Sequence, residues 1–162
     1  MIKGQANHLR ISIPGSKSES NRALIIQAFA SDRIVIENLS DSDDTRALIQ
    51  ALELVHESSG LSSGSSLSSG SSSSSSSDSS SEIKIDCGHA GSTFRFLAAY
   101  FAGLAGKEII LTGSEQLQSR PMAPLLKALR ALGANITYLA KEGFAPIRIS
   151  GKNLQASNAI DI

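Results

Sequence analysis

The order helix, strand, helix occurs twice along this chain, once at residues 21–54 and again at 92–132. The two copies are offset by roughly seventy-five residues, which marks an internal repeat. Two further strands, predicted at 134–139 and 146–150, follow the second copy, so each copy fits a β-α-β-α-β-β unit. Such units predict an α/β (α+β) fold: a mixed sheet with helices packed on one face.

Apolar periodicity identifies the individual elements. Residues 21–30 are mostly helix formers with little polar surface, so we expect that helix to be buried on more than one side. Two further helices carry apolar stripes at i, i+3, i+4 and i+7, namely Thr45, Leu48, Ile49 and Leu52, and Met122, Leu125, Leu126 and Leu129. Gly133 is predicted to cap the second of these. Strands are predicted at 9–13, 33–38, 82–86 and 107–112.

A serine-rich tract interrupts this pattern. Residues 58–81 contain eighteen serines and cannot join a core, which leaves 138 residues to fold. We therefore expect 58–81 to be flexible. Residues 1–57 begin the first unit, and residues 82–162 complete it and hold most of the second.

Composition excludes several classes of function. The formal net charge is zero and no basic stripe is interleaved with aromatic residues, which argues against a nucleic-acid partner. The longest apolar run, 96–105, is too short to span a membrane, and no signal sequence is expected. Cys87 is the single cysteine, so we interpret it as a small buried residue in a reducing compartment and expect a cytoplasmic protein.

Residues 13–22 have the character of an anion-binding turn that runs into a helix. Ser16 and Glu19 have the spacing of a capping box, and Lys17 and Arg22 add two positive charges. The free N–H groups and partial charge of a helix start suit phosphate or carboxylate. The segment is not a P-loop, because serine precedes Lys17 where that motif needs glycine.

Two further stretches point to the same chemistry. Gly91 leads into a helix expected to start at Ser92, which gives a second helix N-terminus for an anion. Arg120 stands before a proline at what we expect to be a third helix start, where its guanidinium can grip phosphate or carboxylate in a bidentate fork. His89 could act as a general base, but without a paired carboxylate in the sequence we favour a local hydrogen-bonding role.

An acidic run at 41–44 precedes the second helix of the first copy. It could hold a metal ion, but carboxylates and hydroxyls in a first helical turn are favoured by the helix dipole alone. We therefore interpret it as a cap, and we expect neither a metal nor a cofactor.

Three segments resemble the family of 5-enolpyruvylshikimate-3-phosphate synthases. PGSKSESNR at 14–22 is similar to the family signature Pro-Gly-Ser-Lys-Ser-x-Ser-Asn-Arg. GHAGSTFR at 88–95 resembles the turn Gly-Asn-Ala-Gly-Thr-x-x-Arg, with His89 in place of Asn and then Phe96 in place of Pro. LTG at 111–113 and SRP at 119–121 resemble the following Leu-Thr-Gly and Arg-Pro segments.

The resemblance implies an amino-terminal portion of an enolpyruvyl-transferase-like domain, in a transferase of the shikimate pathway of aromatic amino-acid biosynthesis. It implies that Lys17 contacts both substrates and that Ser18 and Arg22 hold shikimate 3-phosphate. Gly91 and Arg120 would hold phosphoenolpyruvate. Residues behind these contacts would be Asp44, His89 and Arg95. No catalytic acid or base is assigned in this chain, and the missing carboxy-terminal portion would be needed for turnover.

Two alternatives stay open. One is a non-catalytic anion-binding fragment on the same scaffold, and the other is an engineered chain in which the serine tract bridges a removed strand. A third reading, the sister family of UDP-N-acetylglucosamine enolpyruvyl transferases with their loop cysteine, is disfavoured because Cys87 is in the wrong position. That family also has asparagine where this chain has Ser18.

Overall fold

The computed structural model describes residues 13–30, 34–58 and 82–154. In chain order, the elements in these ranges are α1 (Lys17–Phe29), α2 (Asp43–Glu57), β1 (Ile83–Asp86), α3 (Gly91–Ala102), β2 (Glu108–Thr112), α4 (Glu115–Gln118), α5 (Ala123–Ala131), β3 (Asn135–Tyr138) and β4 (Ile147–Ser150). Apart from Ser58, the serine-rich tract lies outside the described residues, as do 155–162.

The four strands form one mixed sheet in the order β1-β2-β4-β3. β1 and β2 are parallel and are joined through α3, whereas β4 is antiparallel to both β2 and β3. The run from β1 to β4 is therefore a whole β-α-β-α-β-β unit, with the one-turn helix α4 added. The predicted mixed sheet is confirmed, while the assignment of 1–57 and 82–162 to successive units stays a prediction.

The helices cover one face of the sheet. In the sheet register Ile85 lies opposite Leu111, and Ile109 lies opposite Ile149, and these side chains are buried on the helix side. The other face carries polar side chains such as that of Arg148, whose Nε donates to Glu82 Oε1 at 2.7 Å. This period-two alternation is what a sheet with a single buried face requires.

Helix α3 forms the centre of the core. The fully buried side chains of α3 include those of Phe94, Leu97, Ala98 and Phe101, which follow the i, i+3, i+4, i+7 spacing of one helix face. α2 packs against α3 through Leu48 and its neighbours, so the apolar stripe predicted for α2 is also confirmed.

One predicted strand is wrong. Residues 34–38 form no strand, and Val35 is 76% exposed. The β-branched run has no strand beside it among the described residues, and the Ile34 carbonyl accepts instead from Gln27 Nε2 at 2.6 Å. β propensity needs a partner strand to take effect. Of the strand predicted at 9–13, all but Ile13 lies outside the described residues, and Ile13 is not in a strand.

Helix α1 begins at Lys17, between Ser16 and Glu19 as their spacing indicates, but its apolar side chains are not all covered. Leu24 is buried, but Ile26 and Phe29 are each 62% exposed. The prediction that α1 is buried on more than one side is therefore wrong for the described part of the chain.

The later elements follow the sequence closely. β3 and β4 form where the last two strands were predicted, and Gly133 follows α5 with φ of 94°, as a glycine cap does. The short helix α4 was not predicted, because a single turn has no periodicity to detect. In the described ranges, no helix has the length and apolar character needed to cross a membrane.

Candidate anion-binding site

Helices α1 and α3, like α5, begin without a side-chain cap. Ser16 occupies the N-cap position of α1, but its side chain makes no capping hydrogen bond, so the predicted capping box with Glu19 is wrong. The N-cap residue of α3 is Ala90, which has no side chain able to cap. By contrast, Ser42 caps α2 and Ser114 caps α4. Apart from the Gly91 N–H, which donates to the His89 carbonyl at 2.9 Å, the first-turn N–H groups of α1 and α3 therefore remain available to a ligand.

A pocket of about 310 Å³ lies between these two helix starts. We call it the cationic pocket. Its lining residues are Lys17, Ser18, Asn21 and Arg22 from α1 and Ser92, Arg95 and Phe96 from α3. The α1 residues share one face, since side chains three or four positions apart are neighbours on a helix. Lys17, Ser18, Arg22 and Arg95 had been singled out from the sequence, and the structure brings them together.

The arginines in and beside this pocket lack carboxylate partners. Arg22 Nε donates to the Ser18 carbonyl at 3.1 Å, and Arg95 Nη1 donates to the Gly91 carbonyl at 3.2 Å. Within the described ranges, no carboxylate lies within 4 Å of the guanidinium of Arg22, Arg95 or Arg120. Their positive charges are therefore uncompensated locally, which favours a bound anion.

Gly91 lets two of these arginines approach the start of α3. A Cβ atom at this position would lie 3.2 Å from Arg120 Nη1 and 3.3 Å from Arg95 Nη1. Arg120 itself lies in the bend between α4 and α5, so the predicted third helix start is wrong: α5 begins only at Ala123. Pro124 is in the first turn of α5 and fixes that later start.

Asp44, in the first turn of α2, contacts the first turns of α1 and α3. Its Oδ2 lies 3.2 Å from Lys17 Nζ, and its carbonyl accepts from Thr93 Oγ1 of α3 at 2.8 Å. The side chains of Lys17 and Asp44 are 47% and 25% exposed, so this ion pair is screened by water. An anion can therefore compete for Lys17 at low cost.

The acidic run forms part of a neighbouring pocket of about 370 Å³, whose lining is Asp43, Asp44, Ala47, Asp86, Cys87, Gly88, His89 and Ala90. In the described ranges, no group of three or more possible ligand side chains is placed to hold a metal ion. Ser42, rather than an aspartate, accepts from the Thr45 N–H and caps α2.

His89 and Cys87 are both engaged in local structure. His89 Nδ1 is 2.8 Å from Ser114 Oγ, and no carboxylate in the described ranges is within ion-pairing distance of its ring. Burial, and secondarily the charge of Asp86, raises the pKa of the Cys87 thiol from 9.0 to about 12. The thiol therefore stays protonated and unreactive in the folded protein near neutral pH.

Three lining residues were not proposed from the sequence, although the motifs contain them: Asn21, Ser92 and Phe96. Asn21 follows Lys17 by four positions and Ser18 by three, so helical spacing alone could have placed it on the same face. Likewise, Phe96 follows Ser92 by four positions on α3, so helical spacing places these two side chains on one face.

Known proteins are similar to this chain in sequence. Residues 3–162 match the family model of EPSP synthase (3-phosphoshikimate 1-carboxyvinyltransferase). A 3-phosphoshikimate 1-carboxyvinyltransferase from Escherichia coli strain SMS-3-5 is 39% identical over 141 residues, which is 87% of this chain and 33% of the relative. The protein of the same name from Escherichia coli strain K12 / DH10B is 38% identical over the same share of each chain.

Solved structures are also similar to this chain in fold. Two structures of EPSP synthase from Acinetobacter baumannii superpose with TM-scores of 0.63 and 0.64 at 23% sequence identity. Each covers 87% of this chain, and this chain covers 31% and 32% of theirs. The chain thus spans about a third of the length of the curated relatives it matches.

Proposed function

The chain belongs to the EPSP synthase family, and we propose that it supplies one wall of a site where phosphoenolpyruvate reacts with shikimate 3-phosphate. The observation that carries this proposal is the convergence of cations on two uncapped helix starts. Arg22 and Arg95 line the cationic pocket, and Arg95 meets Arg120 over Gly91. Both substrates are phosphate esters that also carry a carboxylate, so such a wall suits them.

We assign the two substrates to the two helix starts. Ser18 and Arg22 on α1 bind shikimate 3-phosphate, with the free N–H groups of α1 adding to the attraction. Gly91 and Arg120 bind phosphoenolpyruvate at the start of α3, where the absence of a side chain lets an oxygen approach the backbone. Lys17, the first residue of α1, contacts both substrates once its screened ion pair with Asp44 is exchanged.

The reaction is an enolpyruvyl transfer in the shikimate pathway of aromatic amino-acid biosynthesis. The 5-hydroxyl loses its proton as its oxygen bonds to C2 of phosphoenolpyruvate, and C3 gains a proton. A proton then leaves C3 as the C2–O bond to phosphate breaks, which restores the double bond and releases phosphate. The cations of this chain lower the barrier by holding the two anions together and offsetting their charge.

Turnover also needs an acid and a base, which we place in a carboxy-terminal portion beyond this chain. Two observations support such a partner. The chain spans about a third of its relatives, and α1 exposes the apolar side chains of Ile26 and Phe29, which a further part of the protein would cover. We also propose a cytoplasmic location, in keeping with a single buried cysteine.

The test is an NMR titration of the ¹⁵N-labelled chain with each substrate. We expect shikimate 3-phosphate to shift the backbone amides of Lys17 and Ser18, and phosphoenolpyruvate to shift those of Gly91 and Ser92. Sodium sulfate at equal ionic strength is the control for unspecific anion binding. If both substrates produce only the sulfate pattern, this assignment is refuted.

A further inference from the structure

Asn21 is a polar residue in a place that an apolar residue could fill. Its side chain is 1% exposed, and its Oδ1 accepts a hydrogen bond from Thr45 Oγ1 at 2.9 Å. Over the described ranges, its Nδ2 is the one buried side-chain polar atom without a hydrogen-bond partner. A half-satisfied buried amide lowers stability relative to an apolar side chain of the same shape. Stability alone therefore does not account for asparagine here.

Hydrophobic packing leaves the position of α1 weakly determined. Leu24 is buried in the core, whereas Ile26 and Phe29 are each 62% exposed, and the Phe29 ring has only an edge contact with the Tyr100 ring of α3, at 4.9 Å between centroids. A helix that is apolar on opposite sides can rotate or slide with little change in buried apolar area. Directional contacts must then set its register, a role for which buried polar groups are known.

Two buried hydrogen bonds provide such contacts. Ser20 Oγ accepts from the Ser40 N–H at 2.9 Å, just before α2 begins, and Asn21 accepts from Thr45 in the first turn of α2. The Thr45 hydroxyl is also 3.0 Å from Ser42 Oγ, which caps that helix. Ser20 and Asn21, which are adjacent in α1, are thus hydrogen-bonded to Ser40 and Thr45. These two residues lie on either side of the N-cap of α2.

These contacts lie directly behind the proposed site. Lys17 and Ser18 are one turn before Asn21 and line the same pocket. Asp44, the partner of Lys17, immediately precedes Thr45 and is bound through its carbonyl to Thr93 of α3. A shift of α1 along α2 would therefore move the Lys17 and Ser18 side chains away from the start of α3.

We propose that Asn21 and Thr45 form a positioning pair, which sets the register of α1 against α2 and so holds Lys17 and Ser18 facing the start of α3. The pair acts through Lys17 and Ser18, although Asn21 itself also lines the cationic pocket. The inference rests on the proposed function only for the identity of the ligand.

The main test replaces both partners at once. In the double variant Asn21→Leu/Thr45→Val, no polar group of the pair is left unsatisfied, so we expect the urea midpoint to be unchanged or higher. We nevertheless expect affinity for shikimate 3-phosphate, measured by NMR titration, to fall about tenfold, equivalent to about 1.4 kcal/mol. The backbone amide resonances of Lys17 and Ser18 should also shift in the ligand-free protein.

Two further variants serve as controls. Thr45→Ser keeps the hydroxyl and should keep wild-type affinity, whereas Thr45→Val alone should lose it. Ile136→Val, on the edge strand β3 away from the pocket residues, should lower the urea midpoint and leave both affinity and the Lys17 and Ser18 resonances unchanged.

Several outcomes would overturn the inference. Unshifted Lys17 and Ser18 resonances in a folded double variant would do so, as would wild-type affinity in that variant. Equal losses in Thr45→Ser and Thr45→Val would show that the hydroxyl is not what matters. If the wild-type chain binds no substrate but the resonances shift as expected, the proposed function fails and the positioning role stands.

Discussion

Gly91→Ala separates the needs of the fold from those of the proposed phosphoenolpyruvate site. The added Cβ would lie 3.2 Å from Arg120 Nη1 and 3.3 Å from Arg95 Nη1, slightly closer than the 3.4 Å at which ordinary contact begins. Both neighbours are ends of flexible side chains, so they can yield by a few tenths of an ångström. The fold should therefore accept the methyl group.

The expected effects on stability and binding have opposite signs. Gly91 is the first residue of α3 and has no positive φ, so alanine should raise the free energy of unfolding by about 0.4–1 kcal/mol through the unfolded state. The methyl group occupies the approach to the helix N–H groups and displaces both guanidinium groups. Loss of one charge-assisted hydrogen bond, about 1.5–3 kcal/mol, corresponds to roughly tenfold to a hundredfold weaker phosphoenolpyruvate binding.

The assay is an NMR or calorimetric titration with phosphoenolpyruvate, with urea unfolding in parallel. Gly103→Ala is a matched control at the other end of α3, because its Cβ would make only ordinary contacts, the nearest at 3.7 Å to the Tyr100 carbonyl oxygen. It should leave affinity unchanged. Equal affinity for Gly91→Ala and the wild type would refute the reasoning about this helix start.

Three further predictions concern single side chains. Lys17→Met should weaken both substrates by about tenfold to a hundredfold in calorimetric titrations, whereas Arg22→Ala should weaken mainly shikimate 3-phosphate; equal affinity after Lys17→Met would remove Lys17 from the site. The pKa of the Cys87 thiol is about 12 in the folded protein against an ordinary 9.0. The contribution of this shift to the free energy of unfolding is therefore full below pH 9. It falls by about 1.4 kcal/mol per pH unit as pH rises from 9 towards 12. Urea unfolding of Cys87→Ala should show a correspondingly flatter alkaline profile, and an unchanged profile would contradict the assignment. Ser114→Ala should lower stability by about 1 kcal/mol, since α4 loses its cap and His89 its partner, while substrate affinity stays within twofold or so; a tenfold loss of affinity would place His89 in the site.

Local signals were sufficient for much of the fold. The apolar stripe of α2 and the glycine that ends α5 depend on neighbours within a few turns, and both appear where the sequence indicates. The cationic face of α1 follows from helical spacing in the same way. Such features are set by short-range geometry, which the order of residues fully contains.

The features that failed depend on distant partners. Residues 34–38 have β-branched side chains but no strand beside them in the described structure. The meeting of Arg95 with Arg120 over Gly91 joins elements separated by a whole strand. No periodicity in the sequence reports such a contact.

The most direct test of the central claim is a phosphate-release assay with both substrates. We predict no turnover by the purified chain alone, and phosphate release once a separately expressed carboxy-terminal portion of the enzyme is added. Arg120→Ala in the chain should reduce that restored rate at subsaturating phosphoenolpyruvate. Turnover by the chain alone at about 1 per second or faster, the range usual for enzymes, would contradict the claim that it forms only one wall of the site.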